Sequence, residues 1–556
     1  MAGMSTETIT LTGAQIIIET LKKLGVDTIF GYPGGIVLSV YDELYKQKHI
    51  KHYLVRHEQA AVHAAEGYAR VSGKCGVVLV TSGPGASNTV SGIANAYLDG
   101  YPLVVLTGQV FSSLIGKDAF QEVDIIDITK SCTKANYQVR NVKELEKTLV
   151  EAFHTAMSGK QGPVVIDLAK NIFTETYEFI PSISYEINKP QFSKADVKAA
   201  LKEICASERP VIVAGGGVVQ SEACPKSVYF STKASVPQLE SGISQYINSL
   251  AILLGTYPQD DENYLGMVGI FGQVSANQVL RESDLIFSIG ARFNDRITCC
   301  FQNQELERKF IQLDINENEI SRIIPAFMPL VGDAKAVLCS MIEEFHTGDY
   351  KMRSKNWLVE AMKLKENNTK PKKFSNLLHS YDVIRRIYDY TKDMDLVVST
   401  EVGQHQLWTA QNYKFNKPRR FLTSGGSGTM GFGLPAAVGA SVANGRQAVV
   451  CVSGDGSLQM NFHELATCID YNLPVKIFIL NNGYLGMVRQ LQQKFCSGRF
   501  SETKISNPDF VKLAESYGVC GIRVHTEAEI LPALEKAFAI DGPVVVDFII
   551  EPMEVV

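Results

Sequence analysis

No stretch of this 556-residue chain approaches the roughly 20 consecutive apolar residues that a membrane-spanning helix needs. The opening run Met1-Ala-Gly-Met-Ser-Thr-Glu-Thr has no basic segment leading into an apolar core, so no secretory leader is expected and the protein should be cytoplasmic. Cysteine is sparse and unpatterned. The eleven residues are an odd number, contain no Cys-x-x-Cys, and place only Cys299 beside Cys300, which argues for buried thiols in a reducing compartment rather than a disulfide framework. An excess of one charge is missing too: 54 Lys and Arg face 59 Asp and Glu, a net charge of -5 without long single-sign blocks, so no nucleic-acid stripe is expected. What remains is ordinary core material, 45% hydrophobic and 20% charged, enough for three or four domains at about 150 residues each.

Two polar stretches of low periodicity, Glu175 to Lys194 and Gly348 to Lys373, read as hinges. They divide the chain into 1–180, 190–345 and 374–556, each of common domain size. Short β-branched runs alternate with helical patterns in every part, among them Val77 to Val80, Leu103 to Thr107, Pro210 to Ala214, Leu285 to Ile289 and Val544 to Ile549. The expectation is an α/β protein of three doubly wound parallel-sheet domains. Thr81-Ser-Gly-Pro-Gly-Ala-Ser-Asn88 and Thr423-Ser-Gly-Gly-Ser-Gly-Thr-Met430 echo each other, as a duplicated unit would, although Gly/Ser turns also recur by chance.

The most informative motif is Gly454-Asp455-Gly456, followed after 24 residues by Asn481-Asn482. Gln447 to Ser453 and Val475 to Leu480 read as buried strands with a helical pattern from Phe462 to Tyr471 between them, which sets Asp455 and Asn482 at the carboxyl ends of neighbouring parallel strands, where open α/β sheets bind ligands. One carboxylate, one amide oxygen and one backbone carbonyl suit Mg²⁺ that also touches phosphate. Small residues Gly456 and Ser457 let backbone amides approach a diphosphate. Gly-Asp-Gly alone is common turn chemistry; spacing and strand context point to thiamine diphosphate as the first cofactor to test.

Further motifs are Phe30-Gly-Tyr-Pro-Gly-Gly35, Arg56-His-Glu-Gln59, Asp118-Ala-Phe-Gln-Glu122, Glu401-Val-Gly-Gln-His-Gln406, Gly428-Thr-Met-Gly-Phe-Gly433 and Asn481-Asn-Gly-Tyr-Leu-Gly-Met-Val-Arg-Gln490. Together they closely resemble the catalytic subunits of acetohydroxyacid synthase (acetolactate synthase), in the thiamine-diphosphate enzyme superfamily. The resemblance implies a pyrimidine-binding domain, a central Rossmann-like domain and a diphosphate-binding domain, with the active site between two subunits of a homodimer or homotetramer. It implies a reaction in which pyruvate loses CO₂ and its two-carbon unit passes to a second 2-oxo acid.

Residue by residue, the resemblance makes Glu58 the carboxyl that shares a proton with the aminopyrimidine ring; local sequence alone favours a helix N-terminal carboxylate, and the surrounding match reverses that preference. Burial should raise the pKa of a carboxyl serving there. Met430 matches the apolar prop under the cofactor, Gln404 and His405 match diphosphate contacts, and Pro33, Gly34, Gly428, Gly456, Ser457 and Met487 match cofactor-binding positions. Asp455 and Asn482 would ligate Mg²⁺ with side chains and Tyr484 with its carbonyl. Gln121 matches a residue near the reacting carbon, while Phe120, Val488 and Leu491 line the substrate side. Arg296 matches an arginine for the acceptor carboxylate, and a surface ion pair is the plain alternative.

Departures from the pattern bear on specificity. Leu491 stands where many members have Trp, which removes contact area from the acceptor pocket; Phe111 and Ile36 replace Pro and Ala. In the central part Gly215-Gly-Gly217 and Gly290-Ala-Arg292 resemble an FAD site, yet Ser235-Val-Pro-Gln-Leu-Glu-Ser-Gly242 lacks the usual pattern, Phe271 replaces a His, and Lys160 an Arg. An FAD there would be structural, since carboligation needs no net redox step. Competing readings are transfer to a bulkier ketone, plain decarboxylation, and a non-catalytic paralogue. A small regulatory subunit is a further partner to test.

Overall fold

The computed structural model describes residues 9–179, 187–234, 238–241, 254–261, 263–293, 295–298, 308–354, 356–365 and 375–556. Three stretches of chain each build a six-stranded, all-parallel sheet. Their inner strands are Val- and Ile-rich and buried along their length, as strands covered on both faces must be: Gly76–Val80, Pro210–Ala214 and Val449–Gly454 have no exposed residue. Three α/β sheets with intervening helices are thus what the β-branched runs predict.

In the first sheet the strands lie in the order Lys51–Leu54, Thr28–Tyr32, Gly76–Val80, Leu103–Gln109, Pro163–Ala169, Ala135–Val139. The last sheet runs Phe421–Leu422, Val397–Thr400, Val449–Gly454, Val475–Asn481, Val544–Ile549, Cys520–Val524. Counted along the chain, both read second, first, third, fourth, sixth, fifth. The duplication is therefore real in topology, but the echoed Thr-Ser-Gly segments are not its counterparts. Thr81 follows the third strand of its sheet and Thr423 follows the second strand of the other. The topological partner of the Thr423 loop is Val55 to Glu58, and that of Thr81 is the loop at Asp455.

The central sheet runs Tyr264–Val268, Gln238–Ser241, Pro210–Ala214, Leu285–Ile289, Lys309–Asp314, Met328–Val331. That is the third, second, first, fourth, fifth, sixth order of dinucleotide-binding folds, with the switch point between Pro210–Ala214 and Leu285–Ile289.

The expected hinges are partly built structure. Thr176–Phe179 pairs antiparallel with Ile9–Thr12 in a mostly exposed two-stranded ribbon, anchored by the buried Phe179. Trp357–Lys365 is a helix because Trp357 is buried and its indole N–H donates to the Pro210 carbonyl at 3.0 Å. Of the hinge segments, 180–186, 355 and 366–373 lie outside the described residues.

Two compact units emerge. The first comprises residues 1–188 with 434–447 and 461–474; the second comprises 189–433, 448–460 and 475–556. Within the first, helix Glu58–Ser72 meets helix Gly433–Ala443 with backbone against backbone: a methyl on Gly439 would sit 1.8 Å from the Ala64 carbonyl oxygen, and one on Gly67 would sit 2.2 Å from that of Ala436. Among the described residues the nine cysteines carry free thiols; Cys299 and Cys300 lie outside them.

Candidate functional site

In the second unit, Gly454 pairs with Leu480 in register, so Asp455 and Asn482 leave adjacent strands side by side. Asp455 begins the short helix Asp455–Leu458, and its Oδ2 accepts from the Gly483 N–H at 2.8 Å and the Asn507 amide at 2.6 Å. Burial raises its pKa to about 6, while those hydrogen bonds pull it down. Asn482 Oδ1 accepts from the Tyr484 N–H at 3.0 Å. Tyr484 pairs antiparallel with Lys504, flanked by Leu485 N–H to Thr503 O at 2.7 Å and Ile505 N–H to Gly483 O at 3.0 Å. That pattern turns the Tyr484 carbonyl away from the neighbouring segment.

These residues share one pocket with Gln404, His405, Gly428, Met430, Gly456, Ser457, Met487 and Val488, as the sequence predicts for them. Three helices begin there, Gln404–Asn412, Asp455–Leu458 and Gly486–Phe495, and the positive ends of their backbone dipoles favour an anion. The polar lining is left short of partners. His405 Nε2, Gln404 Oε1 and Ser457 Oγ are buried with no hydrogen bond, which suits a ligand rich in oxygen atoms. His405 is neutral, because burial lowers its pKa to about 3.

Glycine is required where backbone and ring crowd. A methyl on Gly454 would meet His405 Nδ1 at 2.7 Å, and Gly428 and Gly431 flank Met430 with φ of 69° and 87°. The Met430 loop is fixed by Gly431 N–H donating to Glu401 Oε2 at 2.7 Å and Thr429 N–H to Ser424 Oγ at 2.8 Å. Leu491 is half-buried against the hydrophobic core and is not among the residues that line the pocket.

In the first unit, Glu58 is the first residue of helix Glu58–Ser72, behind the N-cap His57. It is half-buried in this chain, and its Oε2 accepts from Asn88 Nδ2 at 3.0 Å. Two residues upstream the Arg56 N–H donates to Glu464 Oε1 at 2.8 Å, tying the approach to Glu58 in place. Gly34 packs against Thr81, where a methyl would approach to 2.4 Å, and Pro33 precedes it on the exposed loop. Gln121 holds a φ of 61°, uncommon for a residue with a side chain, and its backbone lies against Gly83. Glu122 closes this loop through the N–H groups of Gly116 and Ala119, the latter at 3.0 Å. Phe120 is 89% exposed.

In the central sheet Gly215 and Gly217 lie at the switch point. Their N–H groups donate to Ile289 O at 2.8 Å and Gly290 O at 3.1 Å, so close backbone packing accounts for these glycines. Arg292 follows in the same loop. Arg296 lies in the short helix Asp295–Thr298, its side chain outside the described residues, as are Ser235 to Pro237 and Gly242.

Sequence reasoning gives Asn507 no role, quotes Asn88 and Glu401 only within motifs, and sets Glu464 on the polar side of a helix over 462–471, whereas its side chain is buried and accepts from the Arg56 N–H. Asn507 reaches Asp455 across 52 positions and Asn88 reaches Glu58 across 30, so no local spacing marks them.

Comparison with known proteins agrees with this geometry. Three thiamine pyrophosphate enzyme family models match: the N-terminal TPP binding domain over residues 11–128, the central domain over 197–341 and the C-terminal TPP binding domain over 401–548. The acetolactate synthase large subunit of Haemophilus influenzae is 41% identical over 550 residues, 96% of this chain and 93% of that one. In Escherichia coli, the acetolactate synthase isozyme 3 large subunit is 41% identical over 95% of this chain and 92% of its own length, and the isozyme 2 large subunit 39% identical over 98% and 96%. The chain belongs to the thiamine pyrophosphate enzymes and, among them, to the family of acetolactate synthase large subunits.

Proposed function

We propose that the protein is a thiamine-diphosphate-dependent carboligase that decarboxylates pyruvate and transfers the two-carbon unit to a second 2-oxo acid, giving 2-acetolactate or 2-aceto-2-hydroxybutyrate and CO₂. The observation that carries it is the convergence, in one pocket of a family member, of Asp455, Asn482 and Tyr484 with three helix N-termini and unpartnered polar atoms. Bound thiamine diphosphate supplies the electron sink that lets CO₂ leave a 2-oxo acid. Asp455, Asn482 and the Tyr484 carbonyl would hold Mg²⁺ against the diphosphate, and neutral His405 would hydrogen-bond to it. Met430 would support the cofactor from below. Glu58, with one oxygen held by Asn88, would exchange a proton with the aminopyrimidine. Gln121 and Phe120 would face the reacting carbon, with Val488, Leu491 and Arg296 toward the acceptor.

The reading includes a homodimer or homotetramer with the active site between subunits; the bare Phe120 ring supports it, since large exposed apolar groups near a site invite cover. It includes a small regulatory partner, supported by the relatives' designation as large subunits. It puts a structural FAD at the central switch point, between Gly215 and Arg292, on the strength of the strand order. Domain limits at 1–180, 190–345 and 374–556 give one six-stranded sheet to each. A cytoplasmic location is part of the same reading; among the described residues no helix is long and apolar enough to cross a membrane.

The test is pyruvate consumption by purified protein with Mg²⁺ and thiamine diphosphate, with and without FAD. Acetolactate as the main product supports the reading. Acetaldehyde as the main product, or turnover only with ketones larger than 2-oxobutyrate, overturns it.

A further inference from the structure

Asn507 lies in the loop before helix Phe510–Ser516, yet its side chain is hydrogen-bonded to the pocket residue Asp455. Its Nδ2 donates to Asp455 Oδ2 at 2.6 Å and to Asn481 Oδ1 at 3.0 Å. Its Oδ1 accepts from Gln459 Nε2 at 3.0 Å. Both amide protons and the oxygen are therefore used, which fixes the orientation of the group. Asp455 Oδ2 in turn receives two donors, Asn507 and the Gly483 N–H, and the carboxyl also meets the backbone N–H groups of Gly456 and Asp455, so the carboxylate cannot rotate freely. Upstream in the same segment, Thr503 and Ile505 hold Gly483 and Leu485 by backbone hydrogen bonds and set the direction of the Tyr484 carbonyl.

The network is anchored in the sheet. Asn481 Nδ2 donates to Asp547 Oδ1 at 3.0 Å; Asp547 is buried and also accepts from Arg523 Nε at 3.2 Å, while the Arg523 guanidinium holds Asp509 at 2.6 Å. Strands Val475–Asn481, Val544–Ile549 and Cys520–Val524 thus share the load of aiming one carboxylate.

We propose that segment Thr503–Asn507 is a clamp for the divalent-cation site, with Asn507 the positioning residue that holds the Asp455 carboxylate in one orientation. The proposal rests on the reading of Asp455 as a Mg²⁺ ligand. Partners that orient ligands typically contribute about 10–100-fold to metal affinity. Asn507 does this without touching the metal, so its loss separates metal affinity from the chemical step.

The experiment titrates Mg²⁺ into purified protein with saturating thiamine diphosphate and no substrate, following quenching of the pocket residue Trp408. Asn507→Ala should raise the half-saturating Mg²⁺ concentration by about tenfold. At saturating Mg²⁺ its KM for pyruvate should match the parent's. Gln459→Ala, which frees the Asn507 amide to rotate, should raise it by about two- to threefold and serves if Asn507→Ala does not fold. Half-saturation within twofold of the parent for both variants overturns the proposal, as does a lowered kcat with unchanged metal dependence. Asp455→Ala is the control for the underlying reading. It should abolish metal-dependent quenching, and if it does not, the assignment of Asp455 fails independently of Asn507.

Discussion

Glu464 offers a sharp test of the electrostatics beside Glu58. Its side chain is 1% exposed, accepts from the Arg56 N–H and from Thr467 Oγ1 at 2.6 Å, and has its pKa raised by burial from 4.5 to about 7. In the unfolded chain the group loses its proton near 4.5, whereas in the folded protein it keeps it to about 7. Across that window the native state binds the extra proton, so stability falls as pH rises and the cost is fully present above pH 7. At about 1.4 kcal/mol per pH unit the gap amounts to about 3 kcal/mol. Glu464→Gln removes the ionisation, keeps an acceptor for Arg56, and gives up about 1 kcal/mol of hydrogen bonding to Thr467. The net gain at pH 8 is about 2 kcal/mol, or about 4–8 °C in the melting transition of a cooperative unit of about 200 residues. Below pH 5 the gain should vanish or reverse. Calorimetry of both proteins at pH 5 and pH 8 measures it. A variant that is less stable than the parent at pH 8, or a difference that does not change with pH, would refute the reasoning.

Glu58→Gln should lower kcat by about 10²–10⁴-fold and leave Mg²⁺-dependent cofactor binding intact; an unaltered rate would remove Glu58 from its role. Gly454→Ala should push the His405 ring aside, because the new methyl would start 2.7 Å from Nδ1. At about 1–3 kcal/mol of overpacking, thiamine diphosphate should bind about 5–150-fold more weakly, and calorimetric titration showing unchanged affinity would contradict the crowding argument. Gly439→Ala should destabilise despite the about 1 kcal/mol gain in helix propensity, since the clash is with the Ala64 backbone; a raised melting temperature would be the contrary result.

The sequence is most legible where function is carried by short spacings. Gly454-Asp455-Gly456 and Asn481-Asn482 were placed correctly because each ends a strand of strong β-branched character, and parallel pairing of those strands leaves one outcome for the loops. The runs at Pro210–Ala214, Leu285–Ile289 and Val544–Ile549 match their strands to the residue, since continuous apolar runs of that length suit a covered parallel sheet. The Thr-Ser-Gly echo misled because turn composition repeats more easily than topology. The polar hinge at Trp357 hid a helix because a single indole anchors it. The roles of Asn507, Asn88 and Glu464 are not legible for a different reason: each depends on a hydrogen bond with a residue far along the chain, and nothing in the local spacing announces it; the helical pattern around Glu464 even suggests a solvated face.

The pocket that collects three helix N-termini and a neutral His405 has a consequence for how it discriminates among anions. Among the described residues its lining includes no Lys and no Arg. Oriented dipoles fall off quickly with distance and carry no formal charge, so a multiply charged ligand can be neutralised there only by arriving with its own cation. Free phosphate or sulfate without such a cation should be poor competitors, and moderate salt, which weakens sites built on exposed lysines and arginines, should disturb this one little. On the proposed reading, selectivity of this kind would come from withholding positive charge, so that a diphosphate would bind together with its cation.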